Sequence, residues 1–332
     1  MKQEKKLIAL TIVLLILMGT IAGCAQTETI DIPPVEYGIP SDDASVLIDL
    51  ALEMIPLTAG PAMFSVAMPS APGTHTKENG KAIIDYTNAS DGYIMVKYVN
   101  TTTKDLRVLV TGPSGTKYQY TLKKDATYEV YPLSDGNGKY EISVCEQVEN
   151  AKYAIAISAS IEVRLVDEFA PFIRPNQYVN YTENSVVVAK AADLIKNANT
   201  LMDKISVVYN FVISNLTYDK ELAENVKSGY LPDVDAVLAK GKGICFDYAA
   251  VMAAMLRSQK VPTRLVIGYA GTVYHAWIDV YSETEGWINS VIFFDGQTWK
   301  LMDPTFASSS NGNSAILQYI GDGKNYSARY IY

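Results

Sequence analysis

Three kinds of hydrophobic pattern follow one another along this chain. Residues 7–18, LIALTIVLLILM, are a continuous apolar run behind the basic segment MKQEKK. From about Lys81 to Val166 apolar and polar residues alternate with period two. AIIDYTN, GYIMVKYV, LRVLVTG, TKYQYTLK, TYEVYPL, KYEISVCEQ and AKYAIAISASIEVRLV read as seven strands, with ASDG, GPSG and SDGNG as turns between them. After EFAPFIRP, residues 168–175, the period becomes helical. SVVVAKAADLIKNA and LMDKISVVYNFVISNL are predicted helices, the second with Thr200 and Asp203 spaced as a capping pair. DVDAVLAKGKG then leads into a helix from Cys245 to about Ser258, whose apolar and small residues at 245, 249, 252, 253 and 256 form one stripe.

Seven alternating strands without a helical stretch predict a β-sandwich, Ig-like in general architecture. Its tyrosines (Tyr86, Tyr93, Tyr98, Tyr118, Tyr120, Tyr128 and Tyr140) either display a ligand-binding face or pack inward as good strand formers. The sandwich shows no chemistry of its own and is suited to spacing, docking or binding a surface partner. The second half is expected to pack helices on a sheet, so the fold class is α+β. The expected divisions are 1–23, an N-terminal targeting segment; 24–43, a polar, proline-bearing tether; 44–167, the β-rich domain, with a short helix in SVLIDLALEMIPL; and 168–332, the domain that carries the chemistry.

The first apolar run is too short to span a bilayer and suits the core of a signal peptide. It ends in Ile21-Ala22-Gly23-Cys24, which resembles the lipobox of bacterial lipoproteins. That resemblance implies cleavage before Cys24 and acylation of its thiol and new amino group. The expectation is an exported protein, held on the extracytoplasmic side of a membrane by lipid. Losing residues 1–23 removes three lysines and one glutamate, which takes the formal charge from −8 to −10. Such an acidic chain is a poor partner for nucleic acid or for the headgroups of anionic lipid.

Of three cysteines, Cys24 goes to the lipid, leaving Cys145 in a strand and Cys245 behind Gly241-Lys242-Gly243. A disulfide between these two is the structural alternative for an exported protein. In the first turn of a helix, Cys245 would feel unpaired backbone N–H groups and the positive end of the dipole, which favour a thiolate and a developing oxyanion. The glycines would let a substrate backbone come close. The chain has two histidines: His75, ahead of the sandwich, and His275, in the strand-like YHAWIDVY. His275 is therefore the candidate base. A carboxylate that holds its second nitrogen completes such a site. Asp303, at the strand end of TWKLMDPTF, is the best placed. Asp295 precedes a glycine as hairpin turns do, and Asp279 lies about 13 Å along the same strand as His275.

The order Cys245, His275, Asp303, in the frames KGKGICFDYA, YHAWIDVY and WKLMDPTF, resembles the bacterial transglutaminase-like domains over roughly residues 180–310. LTYD and VPTRLVIGYA sit where that family has similar segments. The resemblance implies a papain-like core with Cys245 as nucleophile, His275 as base and Asp303 as orienting carboxylate. It also implies thiol acyl transfer, with hydrolysis of an amide in a protein or cell-wall peptide ahead of amine-accepting cross-linking. A binding or scaffold lipoprotein that keeps the fold without turnover is the rival. Many relatives read HAWN where this chain has Ile278 after Trp277. Tyr218 and Tyr209 are candidates for the oxyanion side chain. Trp277 and Trp299 either wall a substrate groove or pack in the core. Nothing resembles a calcium site, and one Cys–His pair is too few for zinc, so no metal or cofactor is expected.

Overall fold

The computed structural model describes residues 29–33, 66–284, 286–288, 292–294, 299–301 and 326–332. The expected signal peptide, the lipidation site Cys24, most of the tether, the helix expected at 45–57, Asp295 and Asp303 lie outside the described residues.

Among the described residues, nine strands precede the junction: β1 (Thr29–Asp31), β2 (Thr76–Glu78), β3 (Ala82–Asp85), β4 (Tyr93–Tyr98), β5 (Leu106–Thr111), β6 (Lys117–Thr121), β7 (Glu129–Pro132), β8 (Gly138–Glu149) and β9 (Lys152–Val163). The seven strands read from period two are β3 to β9. With β1 and β2 they form two sheets, ordered β1-β9-β8-β5-β6 and β2-β3-β4-β7. The chain changes sheet between β4 and β5, between β6 and β7, and again between β7 and β8. Alternate residues such as Ile94 and Val96, Val108 and Val110, and Ile142 and Val144 are fully buried in one shared core. This is the sandwich that the alternation requires, since each sheet has one apolar face to cover. Of the strand tyrosines, Tyr93, Tyr98, Tyr118, Tyr120 and Tyr140 are buried, so most of them pack inward and display no face.

One part of the expected tether belongs to the fold. Residues Thr29–Asp31 add an antiparallel edge strand to β9, and Ile32 covers Cys145, Leu109 and Tyr153 in a small satellite core. Polar composition hid this strand, because an edge strand exposes one face and needs few apolar residues.

The second half contains α1 (Val186–Ile195), α2 (Leu201–Asn215), β10 (Thr217–Tyr218), α3 (Lys220–Asn225), α4 (Val234–Lys240), β11 (Lys242–Gly243) and α5 (Cys245–Ser258). Strands β12 (Thr263–Ala270), β13 (Val273–Ser282), β14 (Gly286–Ile288), β15 (Ile292–Phe294), β16 (Trp299–Leu301) and β17 (Tyr326–Ile331) follow. β15 and β16 pair with each other, and the larger sheet runs β14-β13-β12-β17. The cap of α2 is the expected one: Asp203 N donates to Thr200 Oγ1 at 3.1 Å and Thr200 N to Asp203 Oδ2 at 3.0 Å.

Helix α5 departs from the single stripe expected of it. Every residue from Phe246 to Ser258 is buried, because β12 and β13 cover one side while α1, α2 and α4 cover the others. An enveloped helix has no polar face. At its far end the buried Arg257 donates to the backbone oxygens of Thr263 (2.7 Å), Arg174 (2.9 Å) and Tyr332. Tyr332 also exchanges backbone hydrogen bonds with Leu265 and wedges its ring among Tyr118, Tyr120 and Tyr178. Ser134 of the sandwich donates to Ile331 O at 2.6 Å. The two halves therefore share a continuous core.

Candidate active site

The start of α5 is built from both sides of Gly243. Gly241 closes α4 in the left-handed region, at φ +66°, and β11 then pairs in parallel with β10. Thr217 N donates to Gly241 O at 3.0 Å and Asp219 N to Gly243 O at 2.9 Å, which sets Tyr218 opposite Gly243. A Cβ on Gly243 would stand 2.6 Å from Asp247 Cβ, too close to exist. The two glycines thus have local tasks, one ending a helix and one admitting Asp247. That differs from the substrate approach expected of them.

Asp247 is fully buried. Its Oδ2 accepts the N–H of Ile244 at 2.8 Å and its Oδ1 accepts the hydroxyl of Tyr230 at 2.7 Å. Burial pushes its carboxyl up to about 6, against the downward pull of those two donors. Ile244, the N-cap, carries no side-chain oxygen to accept a first-turn N–H, and Asp247 holds the N–H of Ile244 from inside the helix. Beside it, Asp219 caps α3 through Leu222 N at 3.1 Å and accepts Lys240 Nζ at 2.7 Å. Burial raises the Asp219 carboxyl, but Lys240 and the Leu222 N–H outweigh it and hold it below the usual range. This fixes the segment that presents Tyr218.

Cys245 and His275 open onto one cleft, which Tyr218 also lines. Cys245 is half-buried and His275 is 3% exposed. In the β12–β13 ladder His275 faces Gly268, and its ring stacks on Trp277 at 6.4 Å between centroids. Tyr326 of β17 flanks both rings, 6.3 Å from His275 and 5.2 Å from Trp277. The neighbouring Tyr274 and Ala276 line the cleft together with Ile267. Burial, with Tyr330, Tyr269 and Cys245 close by, pushes the Tyr274 hydroxyl up to about 12 against the pull of Arg329. It is a neutral donor at physiological pH.

The other candidates are spread more widely. Tyr209 is buried within α2 in the core and does not line the cleft. Trp277 is 4% exposed, packed beside His275 and absent from the cleft wall. Trp299 pairs with Phe294 through its backbone. His75 is exposed in the sandwich, next to Tyr86. Cys145 and Cys245 are both free thiols, so the disulfide alternative does not hold. Burial raises the Cys145 thiol to about 11. Sequence reading passed over Asp247, Tyr230, Tyr274 and α3. Asp247 carried a signal, an acidic residue three positions after an N-cap. Six-residue α3 is too short to show a period.

Residues 188–290 match the model of the transglutaminase-like superfamily, so this part of the chain is a transglutaminase-like core domain. Over 118 residues the chain is 29% identical to the Bacillus subtilis (strain 168) protein YebA. That match takes in 30% of this chain but 16% of YebA, which is much the longer protein. Among solved structures, the chain resembles a candidate cysteine protease from Cytophaga hutchinsonii, with a TM-score of 0.33, 16% identity and coverage of 70% of this chain and 69% of that one. It also resembles red sea bream transglutaminase, with a TM-score of 0.28, 14% identity and coverage of 73% and 54%.

Proposed function

We propose that this protein is a thiol acyl-transfer enzyme in which Cys245 attacks an amide carbonyl and water resolves the acyl-enzyme. The observation that carries the reading is that Cys245, at the first position of α5, shares a cleft with His275. In the proposed cycle Sγ adds to the carbonyl carbon as the thiol proton passes to His275. The tetrahedral oxyanion is held by first-turn N–H groups of α5, which the side chain of Ile244 cannot cap. Collapse breaks the C–N bond, and the leaving amine takes the proton from His275. Water then adds to the thioester, with His275 again as base, and frees the acid and the thiol. Asp303 is assigned the orienting carboxylate, and Tyr218 with Tyr274 the flanking hydroxyls. The substrate is a protein or cell-wall peptide outside the cytoplasm, met by an enzyme anchored through Cys24. An amine in place of water would give cross-linking through the same acyl-enzyme.

The test is the alkylation rate of Cys245 against pH in the full chain, read cysteine by cysteine by peptide mass, with His275→Ala in parallel. The buried Cys145 is the internal control and is expected to stay unmodified while the protein is folded. A Cys245 thiolate persisting well below the ordinary thiol pKa of about 8.5, and weakened in His275→Ala, supports a working pair. Ordinary titration in both proteins would favour a binding module instead.

A further inference from the structure

We propose that the cleft selects acyl donors whose residue at the scissile carbonyl carries an uncharged apolar side chain, with Val226 and Ile267 setting the fit. This rests on the acyl-transfer reading above and adds the substrate class to it.

The cleft wall comes from two directions. Ala223 and Val226, from α3 and its C-terminal boundary, form one side, and Ile267, Tyr274 and Ala276, from β12 and β13, form the other. Ile244 and Phe246 flank Cys245 between them. Among the described residues, no aspartate, glutamate, lysine or arginine lines it. Among the described residues, the carboxylates that neighbour the lining residues in sequence are committed elsewhere: Asp247 to Ile244 N and Tyr230, and Asp219 to Lys240 and Leu222 N. Tyr274 is held neutral. A charged side chain entering here would leave water without a counter-ion among the described residues, which is heavily disfavoured. An aliphatic side chain would exchange water for the methyl groups of Val226, Ile267 and Ala223. The two walls differ in construction. Ile267 lies within a paired strand, whereas Val226 ends a six-residue helix, so the α3 side is the easier one to remodel.

The experiment labels Cys245 in the full chain with peptidyl chloromethyl ketones that differ only in the residue at the carbonyl: Ala, Leu, Phe, Asp or Lys. The thiolate displaces chloride and forms a thioether, so no turnover is needed. Rates are read by peptide mass and divided by the rate with chloroacetamide, which has no side chain and reports thiol reactivity alone. The expected order places Leu and Ala at least about tenfold above Asp and Lys. Val226→Asp is expected to invert the ratio of Lys to Leu, and Ile267→Ala, which keeps the wall apolar, to raise Phe relative to Leu. Equal normalised rates across the series, or unchanged ratios in both variants, would overturn the selectivity and leave the nucleophile standing. A Cys245 that no reagent labels would overturn both.

Discussion

Tyr230 and Asp247 are joined by a 2.7 Å hydrogen bond that ties the loop after α3 to the first turn of α5, two residues beyond Cys245. The same carboxylate holds the N–H of Ile244 through its other oxygen. One buried group thus positions both the cleft wall and the start of the cysteine-bearing helix. Asp247→Asn puts an amide N–H against one of two donors, and we expect it to cost about 2 kcal/mol in urea unfolding, with slower Cys245 alkylation.

The same residue predicts a pH dependence. Its carboxyl lies at about 6 when folded, against an ordinary value of 3.8, because burial favours the neutral form. The folded state therefore binds the proton more tightly. The stabilisation is complete below about pH 4 and is lost as pH rises through 6. Wild type should gain about 2 kcal/mol over Asp247→Asn between pH 8 and pH 4. A difference that stays flat across this range would mean the carboxyl titrates normally.

Glu146 predicts the opposite trend in the sandwich. It accepts Lys104 at 2.6 Å, Lys81 at 2.7 Å and the Tyr98 hydroxyl at 3.0 Å. Burial raises its carboxyl, but the lysines and Tyr98 outweigh that and hold it at about 2. Its contribution is present above the ordinary value of 4.5 and fades as pH falls towards 2. Both lysines are more than half exposed, so we expect Glu146→Gln to lose only about 1–2 kcal/mol at pH 7. Chemical denaturation from pH 7 down to pH 3 should show that gap closing.

Gly268 faces His275 across the β12–β13 ladder where β17 shifts register. A Cβ there would stand 2.0 Å from Ser327 O and 2.9 Å from Trp277 Cη2. We expect Gly268→Ala to destabilise the fold by about 2–3 kcal/mol. It should also change Trp277 fluorescence and displace the His275 ring stacked on it. A variant with normal stability and normal Cys245 reactivity would show that β17 is free to move away.

Tyr332 lies between the halves, with ring centroids 4.3 Å from Tyr178 and 5.6 Å from Tyr118. With a shared core and Ser134 bonded to Ile331, calorimetry should show one unfolding transition. Tyr332→Ala should lower its midpoint, at a cost of about 3–4 kcal/mol. Two separate transitions in the wild type would show that the sandwich and the transglutaminase-like core fold independently.

Local order was written in the residues themselves. Period two placed β3 to β9, the capping pair Thr200 and Asp203 placed α2, and glycine followed by a small-residue run placed α5 from Cys245 to Ser258. Those signals are short-range, since backbone geometry repeats every two or 3.6 residues and side chains must follow it. The pairing of Cys245 with His275 was legible as an order of motifs, not as a geometry. What enclosed α5 on every side was invisible locally, because a stripe of small residues looks the same whether one face or all faces are covered. The same holds for β1, which exists only because β9 offers it an edge. It holds for Gly243, whose task is set by an aspartate it cannot touch until the helix forms. Tyr332 belongs with them, since Tyr118 and Tyr178, against which its ring packs, lie more than 150 residues away. Contacts of that range are decided by packing, and only the folded chain shows them.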